Sequence, residues 1–172
     1  MNGIQIVSTG RALPKQVVSN DDLSRIVDTN DEWITARTGI KNRYKCEEES
    51  CVSLAVEASS KALENAGIDK NEIGAVIVAT STGDYVFPSV ACMIQKELGL
   101  DEEITAFDLS SACTGFLHGL SVARGLIPTL GKKYILLVGS EKMSKIMDYS
   151  DRSTCILFGD GAGAAILAES DN

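Results

Sequence analysis

Residues 104–127, ITAFDLSSACTGFLHGLSVARGLI, carry the strongest fold signal in this chain. The apolar run over residues 104–109 predicts a central strand, and the small residues after it predict a sharp turn. Apolar residues then recur at helical spacing as far as Ile127. The stretch therefore predicts a strand, a corner and a helix, with Cys113 at the corner or in the first helical turn.

The predicted place of Cys113 favours a chemical role. The first backbone N–H groups of a helix lack intrahelical partners and carry partial positive charge, which favours a thiolate beside them. The thiolate is the nucleophilic form of cysteine, and small neighbours leave the sulfur accessible. The alternative is a buried, inert cysteine, which is what most free cysteines are. The strand–corner–helix context favours the nucleophile.

Composition limits the class of protein. The 172 residues are 44% hydrophobic and 23% charged, which predicts one folded domain with a core. A net charge of -8 argues against nucleic acid and anionic membrane surfaces as partners, and solubility is its simpler explanation. No apolar run has the length of a membrane span, and no secretory signal is recognisable. Five cysteines without a C-x-x-C pair disfavour structural zinc and suit a reducing, cytoplasmic setting.

Strands and helices alternate along the chain. The apolar runs over residues 75–80 and 134–138 predict two more strands, covered on both faces in a parallel sheet. Helices are predicted over residues 51–66 and over residues 88–98, where Pro88 suits a helix start. This alternation predicts an α/β fold with a mostly parallel sheet.

The N-terminal part contains shorter signals. Residues 4–9 predict the first strand. Asn20 is predicted to cap a helix that runs through Val27, and Asn30 to cap a second helix, DEWITART. The polar residues 40–50 predict a surface loop.

The glycine-rich segment 159–163, GDGAG, suggests a nucleotide-binding loop. A dinucleotide fingerprint requires a helix after the glycines, whereas the apolar residues 164–168 predict a strand. Asp160-Gly161 between two apolar runs is a typical hairpin turn. We therefore predict a terminal hairpin from residues 155–158 and 164–168.

Trp33 and Arg37 are four residues apart and share one face of their predicted helix. A flat ring beside a cation suits a nucleotide base and its phosphate. The alternative is a core tryptophan covered by an arginine.

His118 is the one histidine in the sequence. Five residues along a helix from Cys113 correspond to a turn of about 140° and a rise of about 7.5 Å. His118 is therefore expected to point away from the thiol and to be an ordinary helix-flank residue. The base and oxyanion donors that a cysteine nucleophile needs are expected outside this sequence.

Five motifs together resemble one family: DLSSACTGF, DEWITARTGI, VFPSVAC, VVSNDDL and FGDGAGAAIL. They look like the N-terminal half of β-ketoacyl-acyl-carrier-protein synthase III, of the thiolase superfamily. The resemblance covers residues 1–172 as one N-terminal thiolase-like domain, with the C-terminal half absent. It implies half of a five-layer αβαβα fold and a homodimer.

The resemblance also implies a reaction at the start of fatty acid synthesis. A short acyl-CoA, expected to be acetyl-CoA, acylates Cys113. Malonyl-acyl-carrier protein then loses carbon dioxide and condenses to give 3-oxoacyl-acyl-carrier protein. Acyl-CoA is a substrate here, and no cofactor or metal is implied.

The resemblance assigns four residues to coenzyme A. Trp33 and Arg152 would sandwich the adenine, Thr29 would hydrogen-bond it, and Arg37 would meet phosphate.

Three more residues are assigned to the acyl group. Phe87 would reach the primer pocket of the other subunit, and Met143 and Phe158 would line the acyl end. Ser110 and Ser111 stand where the family commonly has small apolar residues, which leaves the primer length open.

The family's catalytic His and Asn belong to its C-terminal half. The resemblance therefore implies that residues 1–172 alone do not condense. Two alternatives stay open. One is another thiolase-fold condensing enzyme, of the polyketide-starter or 3-hydroxy-3-methylglutaryl-CoA synthase-like kind. The other is a non-catalytic truncated half.

Overall fold

The computed structural model describes residues 3–170 and contains seven strands: β1 (Gly3–Ala12), β2 (Gln16–Ser19), β3 (Asn42–Lys45), β4 (Ile73–Ala79), β5 (Thr105–Leu109), β6 (Tyr134–Glu141) and β7 (Gly161–Ser170). The same residues form five α-helices: α1 (Asn20–Ser24), α2 (Asp31–Thr38), α3 (Cys51–Ala66), α4 (Val90–Glu97) and α5 (Gly115–Leu126). Among these helices none is long and apolar enough to span a membrane.

Five of the strands form one sheet in the order β1-β7-β6-β4-β5, and β2 pairs with β3 separately. Strand β4 is parallel to β5 and to β6, whereas β7 is antiparallel to β6 and to β1. The prediction of an α/β fold with a mostly parallel sheet is confirmed, because β1, β4, β5 and β6 run in one direction and β7 runs opposite to them. The prediction that 104–109 is a central strand is wrong, because β5 lies at the sheet edge.

Helices cover both faces of the sheet. Val76 and Val78 of β4 belong to the core formed with α3 and α4. Ala75 and Ile77, which point to the opposite face, pack with α5. Every residue of β4 is buried, which explains its uninterrupted apolar sequence. The described part of the chain therefore has three layers, with helix, sheet and helix.

Several helix boundaries follow local capping signals. Asn30 caps α2 through its side chain, and Gly39 ends that helix with a φ of 72°. Ser50 caps α3, which spans the predicted residues 51–66. Helix α4 begins later than predicted, because the Ser89 side chain caps it by accepting a hydrogen bond from the Cys92 N–H.

Two predictions in the N-terminal part are wrong. Ser19, rather than Asn20, caps α1, and that helix ends at Ser24 instead of continuing through Val27. Asn20 is instead buried in the first turn. The predicted loop over residues 40–50 contains β3, which is paired with β2. A strand whose partner is distant in sequence and whose residues are polar gives no local signal.

The predicted terminal hairpin is also wrong. Residues 155–157 form a turn, Phe158 has no regular structure, and β7 pairs along its length with β6 and β1. The rejection of a nucleotide loop is confirmed, because a strand follows the glycines. Strand β1 is longer than the predicted residues 4–9 because β7 offers a partner as far as Ala12.

Candidate functional site

Five of the eight predicted site residues lie on segments that follow three neighbouring strands. The carboxyl ends of the parallel strands β4, β5 and β6 meet at one edge of the sheet. The segment after β4 carries Phe87, the segment after β5 carries Cys113, and the segment after β6 carries Met143. Ligands of open α/β sheets bind outside these carboxyl ends.

Cys113 lies at a tight corner. It is the middle residue of a 3₁₀ turn, Ala112–Thr114, and α5 begins directly afterwards. Ala112 has a φ of 45°, in the left-handed region that residues with a Cβ rarely occupy. A Cβ on Gly115 would lie 3.0 Å from the Cβ of Ala79, so the helix begins in close contact with β4. The predicted strand, corner and helix are therefore confirmed.

Accessibility separates Cys113 from the other thiols. Burial raises the pKa of Cys46 to about 12 and also raises the pKa values of Cys51 and Cys155. Cys92 is half-buried, whereas Cys113 is exposed. The thiolate form that reacts is thus suppressed at the three buried sites.

His118 does not serve Cys113. Its Nδ1 atom lies 2.9 Å from Ser111 Oγ, across the corner from α5. Within residues 3–170, no hydrogen bond joins its ring to the Cys113 sulfur. The expectation that His118 is an ordinary helix-flank residue is incomplete, because its ring is held by this serine.

Two guanidinium groups lie over the Trp33 ring. The central guanidinium carbon is 4.2 Å from the ring centroid for Arg37 and 4.9 Å for Arg152. Both distances are within the range of cation–π attraction. The structure therefore brings together three of the four residues that the resemblance assigned to coenzyme A.

Thr29, the fourth, lies beside them. The Nη1 atom of Arg152 donates to the backbone oxygen of Asp28, 3.0 Å away, and Thr29 is the next residue. The Thr29 hydroxyl is buried and has no hydrogen-bond partner. Buried polar groups rarely lack one, so this unpartnered hydroxyl is unusual among the described residues.

Two of the three acyl-group residues are linked through Asp160. Its buried carboxylate accepts hydrogen bonds from the backbone N–H and the hydroxyl of Ser144, at 2.8 and 2.6 Å. Met143 precedes Ser144 in a 3₁₀ turn, and Phe158 lies two residues before Asp160. Asp160 thus holds the two segments together.

Phe87, the third, is 87% exposed. The loop that carries it is nevertheless anchored at both ends. The Glu141 carboxylate accepts hydrogen bonds from Ser81 and Thr82, and Asp108 accepts the first two N–H groups of α4. The structure does not bring Phe87 into a pocket with the other two residues.

Four polar residues that join these segments carry no signal of this role in the sequence. They are Asn20, Arg43, Glu141 and Asp160, which are buried or half-buried. Arg43 lies in the polar stretch predicted as a surface loop, where nothing distinguishes it from exposed neighbours. No cluster of three or more metal-ligating side chains occurs within residues 3–170.

The sequence matches known proteins over its whole length. A family model described as 3-oxoacyl-[acyl-carrier-protein (ACP)] synthase III matches residues 107–172. The β-ketoacyl-[acyl-carrier-protein] synthase III of Campylobacter fetus subsp. fetus is 50% identical over 100% of this chain and 52% of its own length. The Natranaerobius thermophilus protein of the same name is 49% identical over the same shares. The chain thus spans about half the length of the curated relatives it matches.

Solved structures agree with this match. The 3-oxoacyl-[acyl-carrier-protein] synthase III of Aquifex aeolicus VF5 superimposes with a TM-score of 0.93 at 45% identity, over 99% of this chain and 55% of that one. The priming β-ketosynthase of the R1128 polyketide pathway gives a TM-score of 0.92 at 39% identity, over 99% and 51%. These neighbours confirm the thiolase-like fold. Over its whole length, the chain is therefore similar to about half the length of proteins named β-ketoacyl-[acyl-carrier-protein] synthase III.

Proposed function

We propose that the protein containing this chain condenses a short acyl group from acyl-CoA, with acetyl-CoA as the expected primer, with malonyl-acyl-carrier protein. The exposed Cys113 at the start of α5 is the observation that carries this proposal. Its thiolate attacks the thioester carbonyl, the bond from Cys113 sulfur to the acyl carbon forms, and coenzyme A leaves as its thiolate.

The second step forms the carbon–carbon bond. The malonyl group loses carbon dioxide, and the electron pair that remains attacks the acyl carbon on Cys113. The carbon–sulfur bond breaks and the Cys113 thiolate returns. The enolate formed on decarboxylation needs fixed hydrogen-bond donors. The family resemblance assigns these to a His and an Asn in the half of its members that this chain does not match.

The nucleotide of acyl-CoA is proposed to bind at Trp33. The ring offers a stacking face, Arg37 offers charge for phosphate, and the unpartnered Thr29 hydroxyl offers a hydrogen bond. Arg152 lies one stacking distance from the ring, so a base inserted between them displaces its guanidinium outward. That side chain is half-exposed and contacts Asp28, at 3.0 Å to its backbone oxygen and 3.8 Å to its carboxylate, so entry of a base must break these contacts.

Replacing Trp33 by alanine tests this nucleotide site. In the whole protein, the KM for acetyl-CoA should rise about tenfold with kcat changed by less than about twofold, because binding common to substrate and transition state is lost. Steady-state kinetics measure both constants. Tyr44→Ala removes an exposed aromatic ring outside the cluster and should leave both unchanged. An unchanged KM in the Trp33 variant would assign the ring to the adjoining core of Leu23, Ile34 and Ile156 instead.

A second candidate function is priming of polyketide synthesis. It is favoured by the similarity to the R1128 priming β-ketosynthase. The chemistry at Cys113 is the same, and the functions differ in the primer and in the carrier protein. Turnover of a series of acyl-CoA primers with malonyl-carrier protein separates them, because preference for primers longer than acetyl would favour this candidate.

We also propose that the protein is a homodimer. Strand β5 has one neighbour in the described sheet, so its other edge is unpaired. Tyr85, Val86 and Phe87 are exposed on the loop that leads to α4, whose first N–H groups bind β5 at Asp108. Both features therefore lie on one side of the molecule. Light scattering of the whole protein at micromolar concentration should give twice the monomer mass, and a monomer alone would refute the proposal.

The cytoplasm is proposed as its compartment from cysteine usage, since five unpaired thiols suit reducing conditions.

A further inference from the structure

Arg43 is a buried cation connected by hydrogen bonds to the segments that carry Thr29, Trp33, Arg37 and Arg152, which we call the Trp33 cluster. It lies on β3 and is 7% exposed. Its guanidinium donates three hydrogen bonds: to the backbone oxygen of Val18 at 3.2 Å, to Asn20 Oδ1 at 2.8 Å and to the backbone oxygen of Ile156 at 3.0 Å. One side chain therefore joins β3 to two other segments, the junction of β2 and α1 and the stretch around Ile156.

Fold stability alone explains Arg43 poorly. Among residues 3–170 no carboxylate forms an ion pair with it, and its buried Nε has no hydrogen-bond partner. Burial lowers the pKa of the guanidinium, which nonetheless stays charged. A buried charge held only by neutral oxygens is costly compared with an apolar residue of similar volume. This cost suggests a role beyond packing.

Asn20 connects Arg43 to the helix that carries Trp33. Its side-chain amide donates to Asp31 Oδ1 at 2.8 Å and to the backbone oxygen of Ile40 at 2.7 Å. Asp31 is the first residue of α2, and Ile40 follows that helix. Asn20 thus bonds both ends of α2 through its amide N–H groups, and its Oδ1 accepts a hydrogen bond from Arg43.

Ile156 connects Arg43 to the segment that carries Arg152. These two residues are separated by a turn in which the Cys155 N–H donates to the Asp151 oxygen at 3.0 Å. Ile156 is 3% exposed, and its backbone oxygen accepts the hydrogen bond from Arg43 Nη2. Arg43 therefore bonds the Trp33 helix through Asn20 and the Arg152 turn through Ile156.

We propose that Arg43 and Asn20 are positioning residues that set the spacing between Trp33 and Arg152, the two sides of the nucleotide site. Neither side chain needs to touch the nucleotide, because both are buried. This inference rests on the proposed function of that cluster. Because the backbone segments that carry Trp33 and Arg152 are held at a fixed spacing, a base has to displace only the Arg152 side chain. Binding then does not require the ordering of two independent segments.

Arg43→Met in the whole protein tests the inference, because methionine fills the arginine stem but donates no hydrogen bond. We expect the KM for acetyl-CoA to rise about tenfold and kcat to change less than about twofold. Arg43→Lys keeps the charge without the planar fork and should give a rise of about threefold. Arg25→Met is the matched control, since Arg25 is exposed directly after neighbouring α1 and its replacement should change KM by less than about twofold.

Trp33 fluorescence provides an independent readout. Arg43→Met should increase quenching of Trp33 by acrylamide in the folded protein, because Arg152 no longer covers the ring in a fixed position. The Trp33→Phe protein supplies the blank for any tryptophan outside this chain. If Arg43→Met does not fold, Asn20→Ser, which cuts the same connection, takes its place in both measurements.

The outcomes separate this inference from the proposed function. A raised KM in Trp33→Ala with KM and quenching unchanged in Arg43→Met would overturn the inference and leave the nucleotide site standing. Equal falls in kcat and kcat/KM for Arg43→Met would also overturn it, since they indicate a general loss of the active structure. An unchanged KM in Trp33→Ala would refute the nucleotide site itself, and the quenching measurement would then decide the positioning role alone.

Discussion

Replacing Cys113 by serine is expected to lower acyl transfer from acetyl-CoA by at least about a thousandfold. A serine hydroxyl is a weak nucleophile without an adjacent general base, and the nearest histidine is held by Ser111. Mass spectrometry after incubation with acetyl-CoA should show an acetyl adduct at Cys113 in the parent protein and none in the variant. Limiting iodoacetamide should also label Cys113 first, because it is the exposed thiol of the five.

Cys92→Ser is the matched control for this variant. Cys92 is half-buried on α4, and its sulfur lies 3.9 Å from the Ala106 oxygen, away from the corner. The acetyl adduct should persist in this protein at the parent level. An adduct that persists in Cys113→Ser and disappears in Cys92→Ser would identify Cys92 on α4 as the nucleophile and refute the proposed site.

Gly10→Ala should reduce the free energy of unfolding by about 3 kcal/mol, the upper end for overpacking a core. A Cβ on Gly10 would lie 2.2 Å from the Ala58 oxygen and 2.5 Å from the Ala62 nitrogen. Both atoms belong to the backbone of α3, so the whole helix must move away from β1. The same movement would break or lengthen the hydrogen bond that the Ser8 hydroxyl donates to the Ala62 oxygen.

Gly125→Ala is the matched control, because it makes the same change where a Cβ would meet nothing within 4 Å. Gly125 lies in α5, where alanine should increase the free energy of unfolding by about 0.5 kcal/mol. Urea unfolding curves give both values from the midpoint and slope. Equal effects of the two substitutions would show that the close contact between β1 and α3 is not what Gly10 protects.

Signals near each other in the chain were sufficient for the elements that form the site. The cap at Asn30 and the left-handed Gly39 define α2, so Trp33 and Arg37 share a face because of helix geometry alone. The apolar residues 75–79 and 135–138 specify buried strands whatever their partners are. The small residues up to Gly115 specify the corner that exposes Cys113. A larger residue at Gly115 would collide with Ala79 of β4, because a Cβ there would already lie 3.0 Å from the Ala79 Cβ.

Contacts between distant residues could not be predicted in this way. Strand β7 was assigned to a hairpin with residues 155–158 because Asp160-Gly161 is a common turn, whereas β6 and β1 offer it longer partners. Strand β3 has no apolar pattern that predicts a strand. It forms because its backbone pairs with β2 and its Arg43 side chain is buried, and neither contact can be inferred from the adjacent sequence.

The sequence by itself therefore determined the α/β class, the nucleophile corner and one face of the Trp33 cluster, because each depends on residues within one or two helical turns. The placing of Arg152 over Trp33, the edge position of β5 and the burial of Arg43 were decided by the tertiary structure. These features depend on which surfaces meet when the sheet assembles, and the free energy of that assembly is shared among residues far apart in the chain.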